Sequence, residues 1–201
     1  MTDYFDLFNE ARRPWLDPEA LKQKFLNLSA EVHPDRVHQA TPEKQRAAQA
    51  RYTELNAAYQ CLREPKPRLR HLLELERGAK LDELQQVPQD LMDVFFNVSQ
   101  SCRQVDAFLA GKAKAVSPML KVQIFEQGLE WTDKLMAMQK EIIARLEQLS
   151  AEVKAVDLQW IEAKPSSRES LLNRLEAIAR LLGFYERWGS QIQERIVRLS
   201  F

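Results

Sequence analysis

From Trp131 to Trp160 the chain sets an apolar residue at alternating steps of about three and four: Trp131, Leu135, Met138, Ile142, Leu146, Leu149, Val153, Val156 and Trp160. A strand puts every second residue on one face, so that spacing lines a single face only on a helix. One long helix with one apolar stripe is not a fold, because the stripe has to be covered by others. The chain supplies two more. Leu91, Phe95, Val98, Cys102, Val105 and Leu109 form one, and Leu171, Leu175, Ile178, Leu182, Tyr185, Ile192, Ile196 and Leu199 form the other. Three such stripes predict an antiparallel three-helix bundle or a coiled-coil hairpin. Ala110-Gly111 ends the first helix and Lys164-Pro165 separates the last two.

The rest of the chain has the same helical character. Glycine is scarce, at 5 residues, and no run of alternating β-branched residues suggests a strand. Asp17-Pro18, Thr41-Pro42 and Ser117-Pro118 each put a capping side chain before a proline at the first helical position. Ser166 with Glu169 reads as a capping box. The expected fold class is all-α.

Near the N-terminus two amphipathic patterns, Pro18 to Val32 and Pro42 to Arg63, flank a polar break from His33 to Ala40. Leu21, Phe25, Leu28 and Val32 face Tyr52, Leu55, Tyr59 and Leu62, with Ala58 allowing close approach. Phe5 and Phe8 close one end of this hairpin. Glu64-Pro65-Lys66-Pro67 ends its second helix, and a short helix from Arg68 to Glu76 follows. Pro34 biases His33 out of the helical region, so the first helix stops there. His33-Pro34-Asp35 then stands at a solvent-facing tip, which suits contact with another molecule. His33 and Asp35 could in principle do acid–base chemistry. A hairpin tip excludes no water, however, and neither a nucleophile nor a phosphate-binding glycine loop lies near.

Charges balance, 29 basic against 29 acidic, which gives no reason to expect nucleic acid or an anionic membrane as partner. No apolar stretch approaches the ~20 residues of a membrane span. The opening is acidic and aromatic, unlike a signal or transit peptide. The expectation is a soluble, cytoplasmic protein. Cys61 and Cys102 read as small buried hydrophobes. His38 and His71 have no cysteine or carboxylate at ligand spacing, so neither metal nor cofactor is expected. Met92 and Phe96 lie beside the core stripe and widen its apolar arc. They are either packed or an exposed anchor for a partner protein.

The Asp17-Pro18-Glu19-Ala20-Leu21 start, Val32-His33-Pro34-Asp35 and the run from Arg51 to Pro65 together resemble the J-domain over roughly residues 3 to 75. Asp3-Tyr4-Phe5-Asp6-Leu7-Phe8, the exit Leu62-Arg63-Glu64-Pro65 with Arg68 and Leu72-Leu73-Glu74-Leu75, and Leu91-Met92-Asp93 with Phe96 and Val98 resemble the HscB family of iron–sulfur cluster co-chaperones. The resemblance implies a J-domain with its exit helix over 1–76, a linker over 77–89 and a client-binding helical bundle over 90–201. It implies no enzyme activity of its own but stimulation of a DnaK- or HscA-type ATPase chaperone. His33, Pro34 and Asp35, with Lys22, Lys24 and Arg36, would meet that chaperone. Met92, Phe96 and Phe184 would hold a scaffold client similar to IscU. Two departures from the family pattern concern these partners. Asn97 and Gln100 replace acidic residues of the docking helix, and Asn27 and Glu31 stand where basic residues are usual. The alternative expectation is a J-domain protein with another client, its bundle serving self-association.

Overall fold

The computed structural model describes residues 2–33, 41–80, 87–112 and 118–200. Among the described residues seven α-helices follow one another: α1 (Tyr4–Leu7), α2 (Pro18–Glu31), α3 (Pro42–Arg63), α4 (Pro65–Arg77), α5 (Met92–Lys112), α6 (Pro118–Glu162) and α7 (Glu169–Leu199). No strand occurs among the described residues. Asp3 caps α1, accepting from the Phe5 and Asp6 amides. Asp17 caps α2 through the Ala20 amide at 2.8 Å, ahead of Pro18. Thr41 precedes Pro42 but its side chain makes no capping hydrogen bond. Ser117 lies outside the described residues.

Three boundaries differ from the sequence expectation. The short helix after α3 begins at Pro65, not Arg68. Pro65 and Pro67 both sit in its first turn, where amides have no helical acceptor, so neither ring costs a hydrogen bond. α5 continues through Gly111 to Lys112. α7 starts at Glu169, so Ser166 lies in a short 3₁₀ turn, Pro165–Ser167, and is no capping-box residue. In that turn the Ser167 hydroxyl donates to the Lys164 carbonyl at 2.9 Å. Gly78 closes α4 in the left-handed conformation (φ 68°), its amide donating to the Glu74 carbonyl at 3.0 Å. A side chain is strained at such a φ, which is why glycine serves there.

The chain divides into two compact units. One comprises Met1–Asp82 with Ser150–Ala179, the other Glu83–Leu149 with Arg180–Phe201. By contact, then, residues 150–179 group with the N-terminal helices, although in sequence they lie beyond position 90.

In the first unit α2 and α3 form the hairpin. Leu21, Leu55, Ala58 and Leu62 are buried between them, and Phe5 of α1 with Phe8 just after it close the end at 0% and 1% exposure. Phe25 stacks on Tyr59 with ring centroids 4.3 Å apart. Leu69, Leu72 and Leu73 of α4 complete this core. The same unit contains residues 150–162 of α6 and the start of α7, and they hold the segment before α2. The buried Asp157 accepts from Arg13 Nε at 3.0 Å and from the Trp15 amide at 3.1 Å, and also pairs with Arg13 Nη2. The Trp160 indole donates to the Arg12 carbonyl at 2.8 Å. Buried Arg68 donates to the carbonyls of Pro14 (2.8 Å) and Leu62 (2.7 Å), fastening that segment to the end of α3.

In the second unit α5 packs with residues 118–149 of α6 and 180–199 of α7 as a three-helix bundle. Its core is Leu91, Val98, Cys102 and Val105 with Leu135, Ile142, Leu149, Leu182, Tyr185, Trp188 and Ile192. Gly189 of α7 faces Ile142 of α6, whose side chain a Cβ there would meet at 3.4 Å, an ordinary van der Waals contact. Asp106 of α5 pairs with Arg195 (2.7 Å) and Arg198 (3.0 Å) of α7.

Candidate functional site

α2 loses its helical hydrogen bonding after Glu31, and His33 follows as non-helical backbone. The His33 ring is half-buried and stands edge-on to the Tyr52 ring of α3, with centroids 5.4 Å apart at 78°. An aromatic edge-to-face contact of this kind restricts the ring's orientation. The imidazole therefore starts the connection between the two hairpin helices from a defined place. Pro34, Asp35 and Arg36 lie outside the described residues.

The two lysines on α2 have different surroundings. Lys22 is exposed. Lys24 bonds to Glu10 at 2.7 Å and to the Asn9 carbonyl at 3.3 Å, so its charge is already engaged within the domain. Leu26, one turn beyond Lys22, is 48% exposed. It lies off the apolar stripe, as its spacing in the sequence implies. Asn27 and Glu31 are exposed as well.

On α5 Met92 is half-buried and Phe96 is 54% exposed, its ring tilted against Phe95 with centroids 5.6 Å apart. Met92 thus packs in part, and Phe96 projects. Beside them runs a groove of about 360 Å³ lined by Phe95, Phe96, Cys102, Arg103, Gln191 and Arg195, among others. Arg195 already pairs with Asp106, but its Nε is buried without a hydrogen-bond partner. The rim thus carries two arginines, one of them already paired, where Asn97 and Gln100 had removed the acidic pattern. Arg103, seven residues past Phe96, could have been read from that spacing. Arg195, on α7, could not. Phe184 lies elsewhere. It is 6% exposed and packs on Trp188 with centroids 5.8 Å apart, so it belongs to the bundle core and offers no surface contact. The apolar arc of α7 is simply wider than one stripe, taking in Phe184 and Trp188 beside Tyr185.

The buried ionisable groups serve the fold. Burial lowers the pKa of His71, against the pull of Asp3 and Glu74. Its Nε2 accepts the Tyr4 amide at 3.0 Å, which requires the neutral ring. Burial also pushes the Cys61 thiol up to about 11, which leaves it a poor nucleophile. Among the described residues no group of three or more His, Cys, Asp or Glu side chains could hold a metal ion. No described helix is long and apolar enough to cross a membrane.

Comparison with known proteins agrees with this geometry. Residues 4–72 match the DnaJ domain, so the hairpin with its histidine end defines a J-domain protein. A "Co-chaperone protein HscB homolog" of Bordetella pertussis is 33% identical over 130 residues, 60% of this chain and 74% of the relative. That of Bordetella petrii is 36% identical over 98 residues, and there the match spans 55% of the relative's length. The crystal structure of human co-chaperone protein HscB superposes with a TM-score of 0.54 at 22% identity, over 98% of this chain and 81% of that one, and shares the fold. The chain belongs to the HscB family of J-domain co-chaperones. Such a protein regulates a partner and is not itself an enzyme.

Proposed function

We propose that this protein stimulates ATP hydrolysis by a DnaK- or HscA-type chaperone and presents to it a scaffold protein similar to IscU, for iron–sulfur cluster assembly or transfer. The observation that carries the reading is the pairing of two features in one chain. A histidine is held against Tyr52 just after the first helix of a J-domain hairpin, and a projecting Phe96 stands beside a groove on a helical bundle. His33, Pro34 and Asp35, with Lys22 and Arg36, meet the chaperone. Lys24 contributes by bracing α2 on Glu10. Phe96 and Met92 hold the client, whereas Phe184, buried against Trp188, takes no part in it. Exposed charges such as Lys22 act mainly on association rate and salt dependence. Carrying client and chaperone on one chain raises their effective concentration for each other without any new contact.

Steady-state ATPase of the chaperone, with and without scaffold, tests both halves. His33→Gln is expected to abolish stimulation while circular dichroism stays unchanged. Phe96→Ser is expected to keep the scaffold-independent stimulation and lose scaffold binding. Full stimulation by folded His33→Gln protein would overturn the chaperone half. Unchanged scaffold binding by Phe96→Ser would overturn the client half.

A further inference from the structure

α6 carries a second apolar stripe beside the one in the bundle core. Leu135, Ile142 and Leu149 are buried in the bundle. Outside that core Val122, Leu129, Met136 and Ile143 recur at seven-residue steps and are 58%, 52%, 54% and 48% exposed. Met119 (76%) extends this second stripe toward the start of the helix, and Phe125 (67%), within it, lines a groove together with Leu129, Phe108 and Leu199. Seven residues are nearly two helical turns, so the stripe keeps to one side over ~33 Å. A surface helix needs one apolar face for its own core. A second, continuous one marks a surface that another molecule covers.

The charges along this stripe indicate which molecule. Glu126, Asp133 and Lys140 flank it, again seven apart, and none has an ion pair within the chain among the described residues. Two copies laid parallel would set Glu126 on Glu126 and Lys140 on Lys140. Laid antiparallel about a twofold axis near Asp133, they set Val122 on Ile143, Leu129 on Met136 and Glu126 near Lys140, each contact made twice. Only Asp133 then meets its own like charge. We propose that this face of α6 pairs antiparallel with the same face of a second copy of the chain. The strip is ~33 Å long on a helix ~10 Å across. Two such strips bury about 660 Å² in total, below the ~1,000 Å² of a stable specific interface, so the dimer is weak and reversible. It uses neither His33 nor Phe96 and is compatible with the co-chaperone role.

Analytical ultracentrifugation of the full chain over micromolar concentrations tests the pairing, with circular dichroism to verify folding. The wild type is expected to dimerise reversibly, and Met136→Glu to be monomeric. Glu126→Lys and Lys140→Glu are each expected to weaken the dimer by about tenfold, and the double variant to restore it. Asp133→Asn is expected to tighten it by relieving the like-charge contact on the axis. A wild type that stays monomeric throughout would overturn the proposal, including the case where Met136→Glu instead abolishes binding of chaperone or scaffold. A dimer indifferent to the single charge reversals, or one not restored by the double reversal, would overturn it equally.

Discussion

His71 is a titratable side chain that the fold holds neutral. The Tyr4 amide donates to its Nε2, and the ring stacks on Tyr4 with centroids 4.6 Å apart. Burial sets its folded pKa below the ordinary value of 6.5. As pH falls through 6.5 the unfolded chain therefore takes up the proton first, and stability declines until the lower folded value is passed. Melting temperature should fall between pH 7 and pH 5.5, and fall less in His71→Gln, whose amide oxygen can still accept the Tyr4 amide. A decline of equal size in both proteins would assign the effect to other groups. Asp157 gives a second prediction. It is 1% exposed and receives charged hydrogen bonds from Arg13. Asp157→Asn should cost about 1.5–3 kcal/mol, the worth of a hydrogen bond to a charged partner, in urea unfolding. The sequence showed His71 without a metal partner but not its amide donor. It did not mark Asp157 as buried at all. Both depend on residues far away in the chain, Tyr4 for one and Arg13 and Trp15 for the other.

At the scale of elements the helical period was a reliable guide, because it records which side of each helix is covered. α3 runs from Pro42 to Arg63, where the spacing and the flanking prolines put it. The stripes do not rank their members, however. Leu55 is 1% exposed while Leu28, on the facing stripe, is only partly covered. Leu55→Ala should therefore cost ~2–5 kcal/mol and Leu28→Ala distinctly less, as measured by denaturant midpoints. Boundaries followed local chemistry that periodicity does not carry. Pro65 reads equally as a helix stop and a helix start, and here it does both, one residue after α3 ends. Phe184 shows the opposite limit. An aromatic on the last helix, where the resembling family has a contact, suggests a surface, but burial is decided by neighbours on other helices.

For the molecule as a whole, the compact unit containing the J-domain is built from two stretches of chain, with 150–179 joined to the N-terminal residues. A protein cut after residue 80 would lack the Asp157 and Trp160 contacts to Arg12, Arg13 and Trp15. It is expected to remain helical but to melt at a lower temperature than the full chain, as followed by circular dichroism. An unchanged melting temperature would show that those contacts add nothing to the hairpin.

The sequence by itself determined the helical class, the order of the helices and the place of His33 after α2. Helical period, proline positions and capping side chains are local properties, readable within a few turns of chain. Tertiary structure alone decided that Phe96 projects while Phe184 is buried, that Lys24 spends its charge on Glu10, and that α6 keeps a second apolar face uncovered. Each of those outcomes depends on which helix faces which. That is a property of packing between residues distant in the chain, and no local pattern encodes it.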